Sequence, residues 1–138
     1  MKTIEIITAE SFKPYGDVIA HDSRNANGFQ VVLDEPREVG WRIAVSRIAA
    51  KSVDRIARHP NSRESFEPME GVTLMCLAAP DRPADCRIFL LDKPVCLFKN
   101  VWHATLCLSE TSLVKITENS VVDSEYFNLP APLRAAVV

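Results

Sequence analysis

Gly71-Val72-Thr73-Leu74-Met75-Cys76-Leu77-Ala78, then Pro80-Asp81-Arg82-Pro83, then Arg87-Ile88-Phe89-Leu90-Leu91, Asp92-Lys93-Pro94 and Val95-Cys96-Leu97-Phe98 decide the fold. Short apolar runs alternate here with Pro/Asp clusters, which are strong turn signals. The same grammar extends in both directions. Upstream, Phe29-Gln30-Val31-Val32-Leu33 ends at Asp34-Glu35-Pro36, and Trp41-Arg42-Ile43-Ala44-Val45-Ser46-Arg47-Ile48 alternates apolar and polar side chains. That alternation is the mark of a half-buried strand. Downstream come Thr105-Leu106-Cys107-Leu108 and Leu113-Val114-Lys115-Ile116-Thr117, and Thr3-Ile4-Glu5-Ile6-Ile7 opens the chain in the same style. Many short strands between turn signals predict an all-β sandwich or barrel.

Helices are few. Ala9-Glu10-Ser11-Phe12 can form a short one with Thr8 as N-cap, and a second is expected near Asp123-Ser124-Glu125-Tyr126-Phe127. After Leu129 the two prolines of Pro130-Ala131-Pro132-Leu133-Arg134-Ala135-Ala136-Val137-Val138 predict an extended tail. With no repeat, linker or low-complexity stretch, residues 1–138 read as one domain.

Composition narrows the function classes. Hydrophobic residues make up 47% of the chain and charged residues 25%, an ordinary globular balance. A net charge of −2 and a pI near 5.9 give no basic footprint for nucleic acid. No apolar run approaches the roughly 20 residues needed to span a bilayer. Glu5 stands where a signal peptide would carry its apolar stretch. A soluble, cytoplasmic protein without membrane or nucleic-acid partners is expected. Cys76, Cys86, Cys96 and Cys107 sit in apolar contexts with no CxxC spacing. They read as free core thiols of a reducing compartment.

Two segments carry chemistry: Arg58-His59-Pro60-Asn61-Ser62-Arg63-Glu64-Ser65-Phe66-Glu67-Pro68-Met69 and Phe98-Lys99-Asn100-Val101-Trp102-His103. Pro60 biases His59 towards extended backbone, and His103 begins an apolar run. A short barrel can face these segments across one mouth. His59, Glu64 and His103 would then form a two-histidine, one-carboxylate set able to hold a divalent metal such as nickel, manganese or zinc. The alternative is that each imidazole merely hydrogen-bonds and Glu64 is solvated. Arg58, Arg63 and Lys99 lie beside these residues and suit a small anionic substrate, Arg as a bidentate fork and Lys as a point charge. Trp102 is either a pocket wall or a core residue. His21, followed by Asp22-Ser23-Arg24-Asn25, reads as a loop residue. Cys107 has no base or cation near it in sequence to make it a nucleophile.

At these residues the chain resembles the ureidoglycolate lyase (ureidoglycolate hydrolase) family. The likeness runs through Phe12-Lys13-Pro14-Tyr15-Gly16-Asp17-Val18-Ile19, Arg58-His59-Pro60, Phe66-Glu67-Pro68-Met69-Glu70-Gly71 and Asn100-Val101-Trp102-His103, over roughly residues 10–118. It implies a cupin-like β-barrel (a double-stranded β-helix or jelly roll), a homodimer, and cleavage of ureidoglycolate to glyoxylate and urea in allantoin and purine breakdown. His59 and His103 would handle protons, with Lys99 a further catalytic candidate. Arg58 or Lys99 would hold the substrate carboxylate, Arg63 and Trp102 would line the site, and a metal on His59, Glu64 and His103 would polarise the hydroxyl.

The chain departs from the family pattern in three places. Glu64 replaces a common Gln, Leu97-Phe98-Lys99 replaces Tyr-His-Arg, and His103-Ala104-Thr105 replaces His-His-Pro. These departures bear on substrate and activity more than on fold. A cupin metal enzyme catalysing isomerisation or oxygenation, or a non-catalytic barrel that binds a small anion, are the other functions compatible with such a site. For the dimer, the N-terminal strand and the tail are the expected contact segments, because exposed strand edges need covering.

Overall fold

The computed structural model describes residues 2–135. In chain order the elements are β1 (Ile4–Ile6), α1 (Ala9–Phe12), β2 (Gly16–Val18), β3 (Trp41–Ile48), β4 (Ser52–Arg58), β5 (Glu64–Glu70), β6 (Thr73–Ala78), β7 (Arg87–Leu91), β8 (Val95–Leu97), β9 (Trp102–Cys107), β10 (Ser112–Asn119) and β11 (Glu125–Arg134). They form a six-stranded sheet ordered β1-β7-β6-β9-β4-β11 and a five-stranded sheet ordered β2-β8-β5-β10-β3. Among the described residues only the β1–β7 pairing is parallel. The two sheets enclose a shared core as the all-β barrel the sequence predicts.

Two apolar clusters hold it. The inner one joins Phe66, Val95 and Val114 of the five-stranded sheet to Met75, Leu77 and Phe89 of the other. The second lies on the far side of the six-stranded sheet, where Leu74, Cys76, Ile88, Trp102 and Leu106 pack with Phe127, Leu129 and Leu133. Successive side chains on a strand point to opposite faces, so β6 sends Met75 and Leu77 inward and Leu74 and Cys76 outward, buried both ways. That double burial explains why its sequence is apolar throughout rather than alternating.

The short helix forms as expected. Thr8 Oγ1 accepts from the Ser11 amide while Ser11 Oγ accepts from the Thr8 amide, each at 2.9 Å, and Phe12 anchors it in the inner core. Gly71 makes the β5–β6 turn at φ +72°, where a Cβ would collide with the Thr111 carbonyl oxygen. The four cysteines are free and buried. No helix among the described residues is long and apolar enough to cross a membrane.

Two expectations are corrected. No helix forms near residue 123: Glu125, Tyr126 and Phe127 are the start of β11, in register with Arg58, Ala57 and Ile56. An edge beside β4 was available, and Phe127 gains a ring contact with Trp102 at 6.0 Å, so pairing and burial outweigh a weak local helix preference. Phe29–Leu33 is not a strand, since no neighbour offers it a ladder. It runs irregularly with Phe29 84% exposed. The tail is strand through Arg134, and residues 136–138 of the expected extension lie outside those described.

Candidate functional site

The two chemistry-bearing segments are tied together by the backbone. Asn100, at φ 69°, donates its amide to the His59 carbonyl at 3.1 Å. Asn tolerates this left-handed conformation better than most residues, which gives the Asn100-Val101-Trp102-His103 motif a structural reason. Register completes the alignment. His103 pairs with Leu77 and Ala57, so its ring shares the inner face with Leu77, packing edge-on against Phe66 at 5.7 Å. Glu64, two residues before Phe66, points the same way.

His59, Glu64 and His103 thereby converge, with their ligand atoms all within 4.8 Å of one another. Glu64 Oε1 lies 2.9 Å from His103 Nε2 and 3.2 Å from His59 Nε2. The other ring nitrogens are committed to carbonyls: His59 Nδ1 lies 3.0 Å from the Asp123 oxygen and His103 Nδ1 3.0 Å from the Val101 oxygen. A carbonyl only accepts, so both Nδ1 atoms carry the proton. In the neutral rings, both Nε2 lone pairs then face the carboxylate. Buried Glu64 Oε1 has no directed hydrogen bond despite these close approaches. Three acceptors gathered without a donor call for a cation, either a proton on an imidazole or a metal ion. Pinning of Nδ1 by backbone oxygens is also how metal-binding histidines are oriented. The donor set fits a divalent ion.

The charges respond to one another. Burial pushes the Glu64 carboxyl upward, but the His103 and His59 imidazoles outweigh it and hold the group at about 2, from an ordinary 4.5. Burial pushes His59 down, and contact with Glu64 more than reverses this, so its pKa is raised above 6.5; the Glu118 charge adds in the same direction.

The remaining expected site residues are not gathered here. Arg58 and Trp102 occupy the opposite face of the six-stranded sheet, the guanidinium 4.5 Å above the indole and both side chains donating to the Pro80 carbonyl. Arg63 turns outward to Asp17 at 2.7 Å and to the Leu97 and Cys96 carbonyls. Lys99 pairs with Glu35 at 2.8 Å. The departures from the family pattern follow suit: Phe98 lies under Arg63, and Ala104 packs against the outer apolar cluster. Of the three departures, only Glu64 belongs to the cluster. A cavity of about 730 Å³ lies between the segment from Phe29 to Val39 and the five-stranded sheet, with Arg63, Glu67, Cys96, Thr117 and Glu118 in its lining. None of the three cluster residues lines it.

Two charged residues in line with the cluster escaped the sequence. Glu118 is the register partner of Glu64 and of Arg42, so all three share the inner face. For Glu118 there was a signal, because Val114, Ile116 and Glu118 follow one another at the period of two along β10. For Arg42 the signal misled. The alternation of β3 suggests that Trp41, Ile43 and Val45 face the core, yet they are 68%, 54% and 56% exposed.

No family model matches the chain. Curated relatives do. A ureidoglycolate lyase of Agrobacterium fabrum is 33% identical, covering 75% of this chain and 74% of that protein. Ureidoglycolate lyase 1 of Rhizobium meliloti is 30% identical over 91% and 83%, and a ureidoglycolate lyase of Rhodobacter capsulatus is 28% identical over 75% and 76%. Among solved structures, a dTDP sugar isomerase of Desulfovibrio desulfuricans superposes with a TM-score of 0.44 at 13% identity, covering 88% of this chain and 82% of that one.

Proposed function

Because this chain belongs to the ureidoglycolate lyase family, we propose that it cleaves ureidoglycolate to glyoxylate and urea. The observation that supports this most is the acceptor-only cluster of His59, Glu64 and His103 on the inner face of the barrel. The reaction needs the hydroxyl proton removed as the C=O forms. The carbon–nitrogen bond then breaks with its electrons going to urea, and a proton reaches the departing nitrogen.

His59 Nε2, Glu64 Oε1 and His103 Nε2 are the atoms that would hold a divalent cation, with nickel, manganese and zinc as the candidates. When bound, such an ion supplies Lewis-acid polarisation of the substrate hydroxyl. The chain does the rest. Phe66 packs edge-on against the His103 ring, and the Asp123 and Val101 carbonyls hold both rings in the tautomer that leaves Nε2 free. With an ion on the cluster both Nε2 atoms would be occupied, so the hydroxyl proton would leave to solvent and a solvent proton would reach the departing nitrogen; without one, either Nε2 lone pair is a base and Glu64 stabilises the resulting imidazolium.

We place this activity in the reducing cytoplasm, consistent with four free cysteines, and in allantoin breakdown, the setting of the family reaction. We also propose a homodimer. The segments first suspected, β1 and β11, each pair within the chain on one side. The exposed Trp41–Ile43–Val45 row on edge strand β3 is the better candidate contact, since apolar surface this concentrated is uncommon on a monomer. Sedimentation should show a dimer that Val45→Lys dissociates; a wild-type monomer at micromolar concentration rejects it.

The test of function is glyoxylate release from racemic ureidoglycolate, by protein as purified, after chelation, and after reloading with nickel, manganese or zinc. Turnover that is lost on chelation and restored by one ion is the expected result. Absence of turnover in every condition refutes the reading.

A further inference from the structure

Ureidoglycolate carries a carboxylate, and the sequence suggested Arg58, Arg63 or Lys99 to receive it. None of them faces the imidazoles. On the five-stranded sheet, Arg63 is turned outward to Asp17 and Lys115 is in register with Val45 and Glu67 on the outer face. Arg47 alternates with Ser46 and so shares that outer face with Val45. Arg42 is different. It is in register with Glu118, which is in register with Glu64. Three neighbouring strands thus carry Arg42, Glu118 and Glu64 in one inward-facing row. With strands about 4.8 Å apart, the Arg42 backbone lies about 10 Å from that of Glu64, a gap that the Arg side chain and a small hydroxy acid bridge together.

The state of the guanidinium fits a receiver. Its Nε and Nη2 both donate to the same oxygen, Glu118 Oε2, at 2.9 and 2.7 Å. The remaining N–H groups are uncommitted, and the side chain is 53% exposed while Glu118 is 9% exposed. Glu118 therefore acts as a fixed strut beneath a cation that is open to the mouth. On an edge strand, Arg42 also has no further strand beyond it to block access.

Resting on the lyase reading above, we propose that Arg42 binds the substrate carboxylate and that Glu118 is the positioning residue that aims it towards His59, Glu64 and His103. The arrangement selects small hydroxy acids with the carboxylate adjacent to the hydroxyl carbon. One end of such a molecule meets the guanidinium while the hydroxyl reaches the imidazoles. It disfavours uncharged analogues, which would leave the Arg42 donors unpaired.

The experiment pairs turnover with a binding readout that needs no turnover. Ureidoglycolate kinetics and thermal shift with glyoxylate are measured on wild type, Arg42→Gln, Arg42→Lys and Glu118→Gln. Loss of a charged, forked hydrogen bond to a carboxylate should lower kcat/KM by about 10- to 100-fold in Arg42→Gln, mainly through KM. The glyoxylate-induced shift should vanish, with partial recovery in Arg42→Lys. Glu118→Gln should raise KM while retaining a glyoxylate shift, because the cation remains but is no longer aimed. A merely structural ion pair would lower the unliganded Tm in all three variants and leave KM and the glyoxylate shift intact, and that overturns the proposal. If Arg42→Gln does not fold, Arg42→Lys and Glu118→Gln decide on the same two readouts. Wild-type protein that shows an Arg42-dependent glyoxylate shift without turnover retains the anion site and rejects the lyase reading. Turnover with an Arg42→Gln KM equal to wild type retains the lyase reading and rejects Arg42. Neither turnover nor a shift in wild type rejects both.

Discussion

Replacing Glu64 by Gln separates the electrostatics of the cluster from its shape. The carboxyl is held at about 2 instead of 4.5 by His103 and His59, despite burial. A depressed carboxyl pKa stabilises the fold at pH values above the unfolded pKa, and this is lost as pH falls through the folded one. The difference corresponds to about 3 kcal/mol at pH 6, of which about 2 kcal/mol is gone by pH 3. Gln is isosteric and does not titrate, and its NH₂ can donate to the Nε2 lone pairs. It therefore keeps the packing while removing the pH dependence. The assay is urea unfolding of chelated wild type and Glu64→Gln at pH 6 and pH 3. Other carboxylates titrate in both proteins and cancel in the difference. With a urea slope of about 2 kcal/mol/M, the gap between the two midpoints should change by about 1 M over that range. A gap that stays constant from pH 6 to pH 3 would refute the reading of Glu64 as the charge partner of both imidazoles.

Other consequences follow from the same geometry. The His59 pKa is raised above 6.5 by Glu64 against the effect of burial; an NMR titration of chelated wild type should therefore show the His59 ring losing its proton above pH 6.5, and Glu64→Gln should move that step downward. Divalent ion at about 100 times its Kd should stabilise wild type by about 3 kcal/mol but not Glu64→Gln, read as a Tm shift. Phe66→Ala, which opens a void beside His103 in the inner core, should cost about 3–5 kcal/mol in urea unfolding. Arg58→Ala should leave kcat/KM within about two-fold of wild type, because its side chain stacks on Trp102 across the sheet from the imidazoles.

Much of the architecture was legible from residues alone, for local reasons. The apolar runs over Thr73–Ala78 and Arg87–Leu91 and the turn chemistry between them depend on neighbours in sequence, as does the Thr8 cap. The cluster was legible in membership: His59, Glu64 and His103 were named from their residue types, and the barrel brings them together. Their state was not legible. That both Nδ1 atoms meet carbonyls and both Nε2 atoms face one carboxylate oxygen depends on the loop at Asp123 and on Val101.

The cations show why the rest stayed hidden. Arg58 and Arg63 are next to His59 and Glu64 in sequence, but on a strand or its approach a step of one residue reverses the face, and adjacency sent both away from the site. Lys99 lies in the turn before β9 and is held by Glu35. Arg42, distant in sequence, reaches the inner face through the register of three strands. On β3 the apolar alternation even indicated the wrong face, since Trp41, Ile43 and Val45 lie outward on an edge strand. Periodicity determined that there are two faces. Which face is the interior was decided by strand pairing, because only neighbouring strands, far apart in sequence, define a barrel's inside.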